Sequence, residues 1–168
     1  MEFVFKRKKG LLGIPVASGT RWVPAYSRVR NEINGERPDP KQLPDIEHSF
    51  RQNRTVGEIV MPRPYPLGTF KIYGLEASSE RWTGPMKILT DAHQPLPVWK
   101  LKPTGEYDCP TGEMIEDWCY WAHYGNGSYH TDGCIGIVNL IDLNTATLLI
   151  QDFLKNYKGI IQITAVDE

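Results

Sequence analysis

The short stretch HYGNGSYHTDGCIGIVN, residues 123–139, contains the side chains that a thiol active site requires. A thiolate is a strong nucleophile, and a nearby histidine activates it by lowering the thiol pKa from its free value of about 8.5. Cys134 is the candidate nucleophile, and His123 and His130 are the candidate bases. Gly133 lacks a Cβ, so the backbone beside the thiol can adopt unusual angles and approach a substrate closely. The pattern therefore indicates a thiol active site, with a buried structural cysteine beside a surface histidine as the alternative.

The segment before this stretch favours His123 over His130 as the base. The strand-like WCYWA, residues 118–122, leads directly into His123, whereas His130 lies in a predicted turn. Aromatic residues near the site can line a groove for an extended peptide, with core packing as the alternative for each one. We expect the substrate-binding residues to be Trp121, Tyr124 and Tyr129.

Two segments carry a resemblance to a known family. HYGNGSYHTDGCIGI resembles the signature of the L,D-transpeptidase catalytic domain, in which a histidine precedes a Ser/Thr-His-Gly-Cys block followed by hydrophobic residues. PRPYPLGTFKIYG, residues 62–74, is similar to the Pro-x-Gly-x-Phe turn and strand that come earlier in that family. The resemblance covers residues 60–140 and implies a mainly β fold, a sandwich or barrel-like sheet with a C-terminal helix and short helical turns.

The resemblance also implies a role for individual residues. Cys134 would be the nucleophile, and His123 the base, oriented by a backbone carbonyl. Gly133 and Cys134 would supply N–H groups to the oxyanion. Thr131 matches the Ser/Thr position of the block.

Two positions depart from the family pattern. Asp132 stands where the family usually has its second histidine, and Gly136 stands where an arginine often follows the cysteine. His130 would replace the displaced imidazole or exchange roles with His123. The arginine would be a bidentate partner for a carboxylate, which Gly136 cannot be. The catalytic set implied by the resemblance is Cys134, His123, Gly133, Thr131, Asp132 and His130.

The activity implied by the resemblance is acyl transfer on peptidoglycan without a metal or other cofactor. The thiolate would cleave the L,D bond of a stem tetrapeptide through a thioacyl intermediate. Transfer to an amine gives cross-linking or D-amino acid exchange, and transfer to water gives L,D-carboxypeptidase activity. The sequence has no classical export signal and resembles compact relatives that a secretion system delivers or a phage encodes. Expected partners are stem peptides in the periplasm or cell wall, with a secretion apparatus, chaperone or immunity protein.

Two other functions remain open at the level of sequence. One is a zinc-dependent wall hydrolase, because His123, His130, Asp132 and Cys134 can all bind zinc, although their spacing matches no zinc motif. A cell-wall-binding or virion structural module would use the Gly-Cys turn only to close a hairpin. The order of residues argues against a papain-like enzyme, because such enzymes usually place the cysteine before the histidine and no histidine follows Cys134.

The whole chain predicts one mainly β domain over residues 1–168. It has 168 residues, a net charge of −1, thirteen prolines and fifteen glycines, which exclude long helices over most of its length. The small net charge gives no case for nucleic-acid binding, and no apolar run reaches the roughly 18 residues of a membrane span. The three cysteines are an odd number, so at least one thiol should be free, and a bridge between Cys109 and Cys119 remains open.

Local patterns predict the elements that hold the site. We expect strands in the segments MEFVFKR, GEIVMP, GTFKIYGLE, MKILT, PVWKLK, WCYWAHYG and GIIQITAV. DAHQPLPVW and the polar residues 31–55 are expected to be loops. The segment DLNTATLLIQDFLKNYKG predicts a helix that Asn144 caps and Gly159 ends. Its apolar residues at helical spacing are Leu148, Leu149, Phe153 and Leu154.

Overall fold

The fold is mainly β, as predicted, with one C-terminal helix among the described residues. A computed structural model describes residues 1–29, 58–60, 63–77, 86–101, 107–108, 111–127, 131 and 133–168. The described strands are β1 Glu2–Lys6, β2 Leu11–Val16, β3 Gly19–Tyr26, β4 Glu58–Val60, β5 Gly68–Ala77, β6 Met86–Leu101, β7 Tyr107–Asp108, β8 Met114–Tyr124, β9 Ile135–Ile137 and β10 Gln162–Val166. The helix, α1, is Leu140–Asn156.

Eight of the strands form a closed barrel. Their order is β6-β5-β10-β1-β2-β3-β9-β8, and β8 closes the barrel by pairing with β6. Two neighbouring pairs are parallel, β1 with β10 and β8 with β9, and the others are antiparallel. The strands β4 and β7 pair with the C-terminal part of β6. Closure fixes the neighbours of β9, the strand that follows Cys134, on both sides.

Side-chain alternation along the strands fills the barrel with apolar residues. The cluster includes Phe3, Phe5, Leu12, Ile14, Val23, Ala25, Ile72, Ile88, Ala92, Tyr120, Ala122, Ile135, Ile137, Ile163 and Ala165. Tyr65, from the segment between β4 and β5, is fully buried in the same cluster. Its ring makes edge contacts with Phe5, Phe70 and Tyr120 at centroid distances of 6.1, 5.9 and 6.3 Å. Tyr65 therefore anchors the Pro-rich turn in the core.

Helix α1 begins earlier than the sequence predicts. Its N-cap is Asn139, whose backbone oxygen accepts bonds from two amides of the first turn, so the prediction of Asn144 as the cap is wrong. The helix packs against β5, β6, β8 and β9. Its buried apolar residues are Leu143, Ala146 and Ile150, while Leu148 is 63% exposed. The buried face of the helix therefore does not include Leu148, although the sequence places it among the apolar positions.

The prediction of a loop at DAHQPLPVW is wrong, because β6 continues through it. The register between β6 and β8 shifts between Ile88 and Ala92 and again before Gln94. Irregular pairing with β8 thus allows β6 to continue through this segment. Beyond it, Leu96 and Val98 are buried in a small second cluster. The other predicted strands overlap β1, β4, β5, β8 and β10. Residues 31–55 lie outside the described part of the chain.

No helix within the described residues has the length and apolar character that crossing a membrane requires.

Candidate functional site

The parallel pairing of β8 with β9 brings the predicted nucleophile and base to one face of the barrel wall. Ala122 pairs with Ile135, and His123 pairs with Gly136. Ala122 and Ile135 point into the core, so alternation directs His123 and Gly136 to the outer face. Cys134 lies two positions before Gly136, and its sulfur accepts a hydrogen bond from the Trp121 amide at 3.4 Å. The thiol therefore lies at the edge of β8, two residues from His123.

His123 is held in one tautomer by its neighbour's backbone. Its Nδ1 lies 2.8 Å from the backbone oxygen of Tyr124. A carbonyl oxygen only accepts, so Nδ1 carries the proton and Nε2 has a free lone pair. The side chain is buried, and this burial lowers the pKa of His123. The bond to Tyr124 opposes that change, and the nearby charge of Lys87 adds to it. His123 is therefore neutral near pH 7 and can accept a proton at Nε2.

The Cys134 thiol lies at the end of a tight turn and is only 9% exposed. The Cys134 amide donates to the Thr131 oxygen at 3.2 Å, which closes the turn. This bond uses the N–H that the family pattern assigns to the oxyanion, so Cys134 does not present that group to a substrate in this structure. The Trp121 amide instead donates to the sulfur itself. A main-chain N–H aimed at sulfur stabilises a thiolate more than a thiol.

Gly133 is required by the shape of this turn. Its φ is +103°, in the region that L side chains rarely adopt. A Cβ at this position would lie 2.5 Å from the backbone oxygen of Arg63 and 2.5 Å from Cε1 of Tyr120. The segment around Arg63 and the core ring of Tyr120 thus pack directly on the glycine. Any larger residue would displace the backbone that carries Cys134.

Two hydroxyl groups form hydrogen bonds between the Cys134 turn and the residues around it. Ser27 Oγ donates to the Gly133 oxygen at 3.0 Å and accepts from the Tyr65 amide at 2.7 Å. The hydroxyl of Thr131 donates to the Arg28 oxygen and accepts from the Arg28 amide, at 3.2 and 3.1 Å. Thr131 is buried and matches the Ser/Thr of the predicted block. Its observed contacts position the turn.

Tyr26 is a site residue that the sequence analysis does not identify. It pairs with Gly136 on the side of β9 opposite His123. Its ring occupies the space where a side chain at 136 would stand, because a Cβ there would lie 2.8 Å from Tyr26 Cε1. An arginine at this position would meet the same ring. The departure from the family pattern at Gly136 therefore coincides with a tyrosine supplied from a distant strand.

The predicted substrate-binding aromatics occupy different places. Trp121 shares the outer face with His123 and is half-buried, with the Lys87 ammonium 5.0 Å from its ring centroid. Tyr124 packs partly against the core cluster and alternates away from His123. It therefore belongs to the other face of β8. Tyr129 lies outside the described residues.

Two members of the predicted catalytic set, His130 and Asp132, also lie outside the described residues. The same holds for Cys109 and for the side chain of Cys119, while Cys134 forms no disulfide with a described residue. Within the described part of the chain, no three His, Cys, Asp or Glu side chains lie close enough together to hold a metal ion. Of the four ligands in the zinc hypothesis, the structure describes only His123 and Cys134.

Comparisons with family models, with curated proteins and with solved structures each found no match to this chain.

Proposed function

We propose that the protein is a cysteine-dependent peptidoglycan enzyme that cleaves the L,D bond of stem tetrapeptides and transfers the acyl group to an amine or to water. The resemblance of residues 60–140 to the L,D-transpeptidase catalytic domain supplies the substrate class. The observation that carries the proposal is the β8–β9 register, which directs a neutral, oriented imidazole and the Cys134 thiol to the same face.

The chemistry assigned to Cys134 and His123 is a general-base-assisted acyl transfer. The thiol proton passes to Nε2 of His123 as sulfur attacks the carbonyl carbon of the scissile bond. The C–N bond then breaks, and the imidazolium returns the proton to the departing D-amino acid. A thioester to Cys134 remains. An acceptor amine or water, deprotonated by His123, attacks this thioester and restores the thiol.

The lowered pKa of His123 shapes this mechanism. Burial disfavours the imidazolium, so His123 is neutral at rest and does not form a preformed ion pair with Cys134. The proton transfer then accompanies attack. The Trp121 amide lies where it stabilises the negative charge that develops on sulfur.

The direct test is digestion of purified disaccharide tetrapeptide, with the products identified by mass spectrometry. The wild-type protein should release the terminal D-alanine or exchange it for an added D-amino acid. Cys134→Ala should do neither, since removal of a catalytic nucleophile costs several orders of magnitude in turnover. His123→Gln should be similarly impaired while keeping the thiol. Release of D-alanine by Cys134→Ala as well would refute the thiol mechanism. If neither protein releases D-alanine, the proposed substrate is refuted.

The burial of Cys134 favours a second candidate, a non-enzymatic cell-wall-binding or structural module. In such a module the thiol would only fill space at the end of the turn. Labelling distinguishes the two functions, because an activated thiol reacts with iodoacetamide faster than an inert one. Cys134 should react faster in the wild-type protein than in His123→Gln. Equal rates would favour the structural module.

A further inference from the structure

Two cationic side chains lie near His123 and Cys134 on the outer face of the barrel. Lys87 precedes Ile88, which pairs with Ala122, so the antiparallel register places Lys87 beside His123. Its charge contributes to the lowered pKa of His123. On the other side of β9, Arg28 follows Tyr26 by two residues, and its guanidinium lies over the Tyr26 ring, 5.3 Å from the centroid. Neither cation forms an ion pair with a carboxylate among the described residues.

The position of Arg28 is fixed while most of its hydrogen-bonding capacity remains available. Its backbone is bonded in both directions to Thr131, the first residue of the Cys134 turn. Within the described part of the chain, its side chain donates one bond, from Nη1 to the Gly127 oxygen at 3.2 Å. A guanidinium has five N–H donors in a planar fork that matches a carboxylate. Arg28 is exposed, so its remaining donors can reach a ligand from solvent.

Tyr26 adds a neutral donor to the same place. Its hydroxyl oxygen accepts from the Gly127 amide at 3.3 Å, which leaves the phenol proton to donate elsewhere. Burial raises the pKa of Tyr26, although the Gly127 bond and Arg28 partly oppose this effect. The phenol is therefore protonated at neutral pH. A guanidinium and a phenol beside one another form a suitable partner for a carboxylate.

We propose that Arg28 and Tyr26 bind a carboxylate of the substrate next to Cys134. This assignment rests on the proposed function, in which the stem peptide ends in a free D-amino acid carboxylate. Tyr26 lies against Gly136, and Arg28 lies against the turn that ends at Cys134. A carboxylate bound there would hold the C-terminal end of the peptide close to the thiol. Lys87, on the far side of His123, adds positive potential to the same face.

The test compares two small alkylating reagents, iodoacetate, which has a carboxylate, and iodoacetamide, which is neutral and of similar size. The rates of Cys134 modification are measured by peptide mapping, which separates Cys134 from Cys109 and Cys119. Arg28→Gln should lower the iodoacetate-to-iodoacetamide ratio by about threefold, the order of effect expected when one nearby unit charge in water is removed. Tyr26→Phe should lower it less. Lys155→Gln, in the last turn of α1, is the matched control and should leave the ratio unchanged.

Salt provides an internal check on the same ratio. Raising the ionic strength should lower the ratio for the wild-type protein and have a smaller effect on Arg28→Gln, because the charge it screens is absent. A ratio in Arg28→Gln equal to that of the wild type would overturn the proposal. So would a loss of equal size in Lys155→Gln, since the effect would then reflect net charge alone.

A binding measurement separates this proposal from the proposed function. Cys134→Ala is titrated with N-acetyl-D-alanine and with N-acetyl-D-alaninamide while the amide resonance of Gly127 is followed. The acid should shift this resonance more than the amide does, and Arg28→Gln should abolish the difference. Equal shifts overturn the carboxylate site. Selective binding of the acid without any turnover of tetrapeptide would retain the site and refute the L,D-cleaving function.

Discussion

The two faces of the β8–β9 pair are built from alternating residues of the same strands, yet they differ in polarity and in the contacts that hold their side chains. The inner face carries Tyr120, Ala122, Ile135 and Ile137, each at most 1% exposed and all in the core cluster. The outer face carries Trp121, His123, Cys134 and Gly136. Its polar groups are positioned by hydrogen bonds to backbone atoms, such as His123 to Tyr124 and Trp121 to Cys134. One face therefore packs the core, and the other carries the groups assigned to the proposed chemistry.

This division has a physical basis in the parallel register. Filling the barrel requires only volume and apolar surface on the inner face. The same hydrogen bonds that align Ala122 with Ile135 also align His123 with Gly136. A closed barrel allows little slippage of that register, because β9 is held by β3 on its other side. The geometry of the thiol and imidazole thus follows from the packing beneath them.

Truncation on the two faces should have opposite effects on stability and reactivity. Ile135→Ala should lower the free energy of unfolding by about 2–5 kcal/mol, because it leaves a cavity in a closed core. Cys134→Ala, one residue earlier, should lower it by about 1 kcal/mol or less while removing the proposed nucleophile. Urea denaturation of both variants measures the difference. An equal loss from Cys134→Ala would mean that the sulfur is part of the core.

Filling the outer face at Gly136 should be costly because Tyr26 already occupies that space. In Gly136→Ala the new Cβ would meet the Tyr26 ring at 2.8 Å, so we expect a loss of about 1–3 kcal/mol in unfolding free energy. Tyr26→Ala should reduce this loss, and a double-mutant cycle gives the coupling. Gly74→Ala is the control, since no atom lies within 4 Å of a Cβ there. Additive effects of the two substitutions would contradict the contact.

The hydroxyl of Ser27 should matter more than an exposed hydroxyl of the same kind. Ser27→Ala removes the bonds to the Gly133 oxygen and the Tyr65 amide. We expect a loss of about 1–2 kcal/mol, because a half-buried donor and acceptor lose their partner. Thr145→Ala, whose hydroxyl bonds the Ile141 oxygen on the exposed side of α1, should change stability by only a few tenths of a kcal/mol. Equal values from thermal or urea unfolding would show that Ser27 does not hold the turn.

The sequence predicts local features of this molecule well. Alternation in MEFVFKR and GIIQITAV correctly indicates β1 and β10, and the run WCYWAHYG lies in β8 apart from its last residue. The helix is also predicted, although it begins after Asn139 and not at the predicted cap Asn144, because either asparagine is an acceptable N-cap residue by type. The error at DAHQPLPVW has a clear cause. Prolines argue against a strand, but bulges and pairing with β8 keep β6 continuous there.

The parts of the site that the sequence misses depend on pairing between distant segments. Tyr26, Ser27 and Arg28 reach the Cys134 turn only because β3 pairs with β9 in the closed barrel. No local pattern near residue 26 indicates this neighbour. The Gly at 136 is a signal in retrospect, since a glycine between two buried isoleucines suggests that another group approaches the backbone closely. That Cys134 and His123 lie near each other is predictable because they belong to one short stretch.

The smallest expected effect concerns the neutral His123 and the dependence of stability on pH. Burial lowers the pKa of His123 in the folded protein below its ordinary value of about 6.5. Between these two pKa values the unfolded chain binds a proton that the folded protein does not. Stability should therefore fall as the pH drops below about 6.5 and level off once folded His123 is protonated. The loss is about 1.4 kcal/mol for each pH unit that separates the folded and unfolded pKa values.

Urea denaturation at pH values from 8 to 5 tests this expectation with a matched pair of variants. His123→Gln removes the buried imidazole, so its stability should decline less on acidification than that of the wild type. His93→Gln removes an exposed histidine that stacks on Trp118 and should retain the wild-type decline. The remaining histidines are common to both variants and cancel in the comparison. Parallel curves for wild type and His123→Gln would show that the outer face accommodates an imidazolium, and a preformed thiolate–imidazolium pair would then replace the neutral pair in the mechanism.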